Sequence, residues 1–319
     1  MPQSLSATTT TTTTNPTLGG SSAFFPPFFQ PRCRRCCCKN AVRSLPRGLT
    51  DFYRIASIIE AMRRPSRENT IMKLTENVHV VGGGRFGFGL SGSLDCHVYL
   101  LNGGDELALV DPGLGLKDDF STILENIRQD GLDPKRIRKL ILTHYHCDHV
   151  GAAAEAASRL DVEVVASAFA APVIRTGDDR AVALDVARAA GFYPADFVLP
   201  PCRVDTELRE GDVIRVGELA LTAYETPGHC DGHLSFHFAG SDRKYLLGAD
   251  LVFWGGRILL QNIHDCRIDA YASSVFKVEP LDFDALLPGH LQISLRGGHE
   301  HVEQAAKYFR QLGVPPNLM

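Results

Sequence analysis

The sequence predicts an α/β protein, a four-layer αββα sandwich in which two sheets pack face to face with helices outside. Two observations carry that expectation: from Met72 onward strand-like and helix-like segments alternate in two series, and each run of strands closes on helices. In the first series His97-Val98-Tyr99-Leu100-Leu101 and Glu106-Leu107-Ala108-Leu109-Val110-Asp111 read as strands, parted by the turn signal Asn102-Gly103-Gly104. Phe120, Ile123, Leu124 and Ile127 then fall at i, i+3, i+4 and i+7, the buried stripe of a helix. Arg138 to Thr143 is a short apolar strand, Gly151 to Ala157 starts a helix, Val162 to Ala166 is another strand, and Asp178 to Ala190 has helical composition. The second series places strands near Val213 to Val216, Leu219 to Tyr224, Leu234 to Phe238 and Tyr245 to Leu247. Helices follow near Asp269 to Lys277 and Val302 to Leu312, with a short strand at Ala285-Leu286-Leu287 between them.

Residues 72–319 are therefore read as one domain, and residues 1–70 as a leader outside it. That leader has a Thr run from Thr8 to Thr14, a Phe/Pro tract and an Arg/Cys tract, and its first 50 residues hold six basic side chains and no acidic one. Such a composition fits a transit peptide, which would make the protein organellar, or a start codon assigned too far upstream, which would leave it cytoplasmic. Subtracting those six from the 33 basic residues leaves 27 against 37 acidic ones, so the body is acidic. An acidic body argues against a nucleic-acid partner, whose binding depends on clustered Lys and Arg. No apolar run approaches the roughly 20 residues of a membrane helix. Four of the nine cysteines (Cys33, Cys36, Cys37, Cys38) crowd into the leader without completing a zinc set, and the scattered remainder reads as unbridged.

Chemistry concentrates at Thr143-His144-Tyr145-His146-Cys147-Asp148-His149-Val150-Gly151, on a strand-to-helix loop. Imidazole nitrogens and carboxylate oxygens are ligands that divalent metals prefer. In extended backbone His144 and His146 point the same way, so both can grip one ion while Asp148 and His149 turn toward another. This run resembles the His-x-His-x-Asp-His hallmark of the metallo-β-lactamase superfamily. The similarity extends over roughly Met72 to the C-terminus, through Val110-Asp111-Pro112-Gly113, Thr226-Pro227-Gly228-His229, Leu246-Leu247-Gly248-Ala249-Asp250 and Leu287-Pro288-Gly289-His290.

That resemblance implies the metallo-β-lactamase fold and two Zn2+ ions, with Fe or Mn also compatible. It implies His144, His146 and His229 on the first metal, Asp148, His149 and His290 on the second, and Asp250 between them. It further implies a hydrolase in which a bridging hydroxide attacks a small-molecule substrate, with Asp148 orienting the hydroxide and passing its proton to the leaving group. Asp111 and His233 are read as supports behind the ligands. Cys147 and Cys230 are read as space-filling neighbours, and His79, His97, His237, His264, His299 and His301 as structural or solvent-facing. The segment 169–207 holds Phe192, Tyr193 and Phe197, expected with Phe253 to form an apolar wall over the cleft.

Asp250 resembles the ester, thioester and lactone branches rather than true β-lactamases. Only 29 residues follow His290, whereas hydroxyacylglutathione hydrolases carry a helical domain there, so an acyl-homoserine lactonase-like reaction is the first expectation. Against it, one lactonase branch has a tyrosine three residues after the bridging aspartate, where this sequence has Phe253. A thioester hydrolase of the hydroxyacylglutathione hydrolase type is the alternative, and a one-iron persulfide dioxygenase-like oxidoreductase a further one.

Overall fold

Short apolar runs form the strands, and the loops that leave them carry the polar chemistry. The computed structural model describes residues 72–117 and 119–318, so the leader and its cysteine tract lie outside the described residues. The chain runs through β1 (Val78–Gly82), β2 (Val98–Asn102), β3 (Leu107–Val110), α1 (Asp119–Gln129), β4 (Ile137–Ile141), α2 (Cys147–Val150), α3 (Ala153–Leu160) and β5 (Glu163–Ser167). It continues through α4 (Ala170–Thr176), α5 (Leu184–Ala189), β6 (Thr206–Leu208), β7 (Val213–Val216), β8 (Leu219–Glu225), β9 (Leu234–Ala239), β10 (Lys244–Ala249), α6 (Ile268–Val278), β11 (Ala285–Pro288) and α7 (His299–Arg310). Six strands pair in the order β1-β2-β3-β4-β5-β6 and five in the order β11-β10-β9-β8-β7.

Because side chains alternate across a strand, each sheet supplies one apolar face to its partner and one to helices. Tyr99, Leu101, Val110 and Ile141 of the first sheet meet Leu221, Phe236, Phe238 and Leu247 of the second in the central layer. On the outer face of the first sheet Leu100, Leu109 and Leu140 pack against Phe120, Ile123 and Ile127 of α1 and Ala153 and Ala156 of α3. On the outer face of the second, Leu246 and Leu286 pack against Tyr271 and Val275 of α6 and Val302 and Phe309 of α7. Three apolar layers between four structural layers make the expected αββα sandwich. Each fully buried Leu or Phe in them contributes about 1.5–3 kcal/mol.

Strand direction places the chemistry. β3 and β4 are parallel, as are β10 and β11. Both β8 and β10 run antiparallel to β9, so β8 points the same way as β10. Asp111, the loop 143–149, the turn 226–229, Asp250 and His290 therefore all follow the carboxyl ends of strands, the usual ligand-binding position in such sheets. Among the described residues no helix is long and apolar enough to cross a membrane.

Candidate metal centre

Hydrogen bonds fix the tautomers of the histidines before any ligand is considered. Asp111, held at φ 50° just after β3, accepts from the Thr143 N–H at 2.8 Å and the Thr143 hydroxyl at 2.6 Å. With its proton committed there, the Thr143 hydroxyl accepts from His144 Nδ1 at 3.0 Å. Asp111 also accepts from His149 Nδ1 at 2.9 Å. These bonds engage Nδ1 of both rings and leave Nε2 facing the cluster, and those two atoms are buried with no hydrogen-bond partner. His229 Nδ1 faces the Leu259 carbonyl at 3.4 Å, which leaves Nε2 as the atom turned to the cluster, where it meets His146 Nδ1.

The free atoms converge. Ligand atoms of His144, His146 and His229 lie within 4.8 Å of one another, and so do those of Asp148, His149 and His290. His146 Nδ1 and His229 Nε2 are 2.8 Å apart, and His290 Nε2 is 3.1 Å from Asp148 Oδ2. Asp250 Oδ2 lies 3.4 Å from His229 Nε2 and 3.6 Å from His290 Nε2, so one carboxylate spans the two triads. Its other oxygen is buried without a hydrogen-bond partner. Asp111 and His233 stand behind these groups. The Asp250 N–H donates to His233 Nε2 at 3.2 Å, and His233 Nδ1 then donates to Thr226 Oγ1 at 2.8 Å. Three orphaned buried acceptors facing a cluster of imidazoles and carboxylates are the arrangement that divalent cations satisfy.

Electrostatics divide the ligands into two kinds. Burial pushes His146 and His229 down to about 4 and takes His144 and His233 well below the ordinary imidazole value, so these rings are neutral at pH 7. His149 and His290 go the other way: burial opposes their charge, but Asp250, Asp148 and the hydrogen bond to Asp111 outweigh it for His149, and Asp250 and Asp148 for His290. Burial also opposes charge on Asp148 and Asp250, yet His149 and His290 hold both carboxyls well below the usual range. The neighbouring thiols are inert, since burial drives Cys96 up to about 12 and Cys230 well above its ordinary value.

These shifts set the stability of the metal-free chain. Burial holds His97 near 4 as well. For His97, His146 and His229 the unfolded chain binds more protons than the folded one between about 4 and the unfolded value of about 6.5. Stability therefore falls as pH drops through that window. His149 and His290 have raised values, so their contribution is complete below about 6.5 and is lost as pH rises. Urea unfolding of chelator-treated protein is expected to give a midpoint that peaks near neutrality and declines on both sides. A midpoint flat from pH 4 to 7 contradicts the buried neutral histidines.

A cavity of about 530 Å3 opens onto the cluster. His146, Asp148, His229, Asp250 and His290 form its floor, while Leu94, Val182, Val186, Phe192, Leu259 and Ile263 are among its apolar walls. Of the four aromatics expected at the cleft, Phe192 and Tyr193 line it. Phe197 instead packs behind, its ring 5.9 Å from that of Tyr193, and Phe253 is fully buried with its ring 6.5 Å from His290. The Phe253 N–H bonds the Arg257 carbonyl in a local bridge, and the ring lies in the core. The sequence reading missed the Tyr193 hydroxyl, which donates to Asp148 Oδ1 at 3.0 Å, and the Thr143 hydroxyl. Thr143 directly precedes His144, so its position in the cluster was the available signal.

Residues 92–290 match the family model described as Metallo-beta-lactamase superfamily. The chain belongs to the metallo-β-lactamase superfamily, and its fold and cluster of ligating side chains make it a metal-dependent hydrolase. Among curated relatives it is 28% identical over 240 residues to the acyl-coenzyme A thioesterase MBLAC2 of Homo sapiens, covering 68% of this chain and 80% of that protein. It is 26% identical over 194 residues to a hydroxyacylglutathione hydrolase of Chelativorans sp. (strain BNC1), covering 61% of this chain and 58% of that one. Among solved structures, the subclass B3 metallo-β-lactamase BJP-1 of Bradyrhizobium japonicum superposes with a TM-score of 0.58 at 22% identity, over 75% of this chain and 90% of that one. That last likeness concerns the fold alone.

Proposed function

We propose that the chain is a two-zinc thioester hydrolase whose substrate lays an apolar acyl group in the cavity above the cluster. The observation that carries this reading is the cavity itself, an apolar chamber whose floor is His146, Asp148, His229, Asp250 and His290. Named relatives that are thioesterases support it over the lactone expectation, and the buried Phe253 offers no hydroxyl to a lactone ring.

His144, His146 and His229 would hold one cation, Asp148, His149 and His290 the other, with Asp250 shared. When bound, such a pair makes hydroxide available near pH 7 and polarises the substrate carbonyl. The chain's own residues do the rest. The apolar walls exclude water from the acyl group and hold the carbonyl over the floor. Asp148, ionised in this setting, accepts the proton of the attacking water at its carboxylate. A thiolate with an ordinary pKa of about 8.5 leaves without needing that proton first. At the rim the Arg85 guanidinium sits 4.9 Å from the Phe86 ring and 5.7 Å from the Phe192 ring, both of them cavity walls. A cation there favours an anionic thiol carrier.

A panel of acyl-coenzyme A thioesters of increasing chain length, lactoylglutathione, acyl-homoserine lactones, aryl esters and a cephalosporin tests the reading. Longer acyl thioesters are expected to have the highest kcat/KM. Their KM should be about two- to fivefold below that of the neutral N-acetylcysteamine thioester at low salt, the scale of one exposed charge pair, with the gap closing at high salt. Preference for lactones over every thioester would overturn it.

A further inference from the structure

Tyr193 reaches the cluster from an element that none of the ligands belongs to. Helix α5 ends at Ala189 with Ala190 as its C-cap, and Gly191 takes φ 70°, a left-handed turn that glycine adopts without strain. The Gly191 N–H bonds the Arg188 carbonyl and the Phe192 N–H bonds the Ala187 carbonyl, a paired stop that fixes the direction in which the chain leaves the helix. An ion pair between Arg188 and Asp179 ties the helix to the segment before it. The exit turns the Tyr193 ring inward, edge-on to Phe192 at 5.0 Å and tilted against Phe197 at 5.9 Å, so that only 9% of the residue stays exposed. Its hydroxyl ends 3.0 Å from Asp148 Oδ1 while its ring lines the acyl cavity.

A carboxylate beside two imidazoles can turn either oxygen, or both, toward a cation. Here the two oxygens are distinguished: Oδ1 accepts from Tyr193, and Oδ2 faces His290 Nε2 at 3.1 Å and His149 Nε2 at 3.8 Å. We infer that Tyr193 is a positioning residue, whose hydroxyl holds Asp148 Oδ1 so that Oδ2 alone is presented to the second cation, joining the acyl wall to the metal centre. Partners of this kind orient a ligand and sharpen the ion's affinity. A phenol, with an ordinary value of about 10, is a donor at neutral pH. This inference rests on the assignment of Asp148 as a ligand under the proposed function.

The test uses the full chain and two variants, Tyr193→Phe, which removes only the hydroxyl, and Tyr193→Leu, which also removes the ring. Zinc affinity is measured by competition with a chromophoric chelator, without substrate. Tyr193→Phe is expected to weaken the second zinc equivalent by about 10–100-fold, leave the first unchanged, and leave the thermal midpoint of the metal-free protein in place. At saturating zinc its kcat should fall while KM for a long-chain thioester stays within about twofold, because the ring that meets the chain is kept. Tyr193→Leu should add a rise in KM. Wild-type affinity for both equivalents in Tyr193→Phe overturns the inference, and so does an equal loss at both equivalents with a lowered thermal midpoint, which marks a packing role. Since affinity is read without turnover, failure of every thioester in the panel would refute the proposed substrate and leave this result standing.

Discussion

Replacing Asp250 by alanine is expected to strip the chain of both metal equivalents and of nearly all turnover. Among the described residues Asp250 is the one carboxylate within 3.6 Å of imidazoles from both triads, His229 of the first and His149 and His290 of the second. Under the proposed assignment its removal would take from each ion the carboxylate they share, and it leaves His149 and His290 without a main partner for their charge. The loss should exceed the roughly 10–100-fold that follows when a group behind a ligand is removed. Asp250→Asn keeps the volume and the backbone hydrogen bond to His233, so it separates the chemistry from folding. Metal content by plasma emission and kcat/KM should fall together in both variants, with the far-ultraviolet circular dichroism of Asp250→Asn unchanged. Retention of two metal ions by Asp250→Asn at wild-type affinity would remove Asp250 from the centre.

Gly289→Ala is the second large effect, and it needs no change in any ligand. The new methyl would lie 2.1 Å from Asp250 Oδ1 and 2.8 Å from His149 Cε1, so the shared carboxylate has to move. Little slack exists around it. The Gly289 N–H bonds the Ala249 carbonyl and its own carbonyl accepts from His97, which pins the backbone beneath the cluster. Overpacking of this kind costs about 1–3 kcal/mol, small enough for the domain to survive, whereas a displaced bridge removes the geometry both triads share. The expected result is a folded protein whose zinc affinity and turnover are both severely reduced. Normal zinc binding by Gly289→Ala would mean that Asp250 can be displaced without consequence.

Much of this was present in the order of residues. The apolar stripe Phe120, Ile123, Leu124, Ile127 became the buried face of α1, and the strand entering the histidine run became β4. The Pro-Gly and Gly-Ala-Asp turns marked His229, His290 and Asp250 because strand ends are where such signals fall. Other elements left weaker traces. β1 is buried at every position and so lacks the alternation that betrays a half-buried strand. Only three residues make up β6, at the sheet edge, and α4 spans seven residues with Pro172 inside it and no side-chain cap. In the site, residue type misled where environment decides. Tyr193 was read as an apolar wall, and its ring does line the cavity, but its hydroxyl is turned onto Asp148 by the way α5 ends. Phe253 and Phe197 carry the same apolar character as Phe192 yet pack inward, a distinction set by local backbone and neighbouring layers.

The central claim is that seven side chains hold two cations that make one hydrolytic centre. Native mass spectrometry of the full chain during stepwise zinc addition, with acyl thioester hydrolysis followed in the same samples, addresses it most directly. Two ions per chain should bind, with hydrolysis rising to its plateau only as the second is filled. A single iron per chain supporting full activity, or a plateau reached at one zinc, would contradict it.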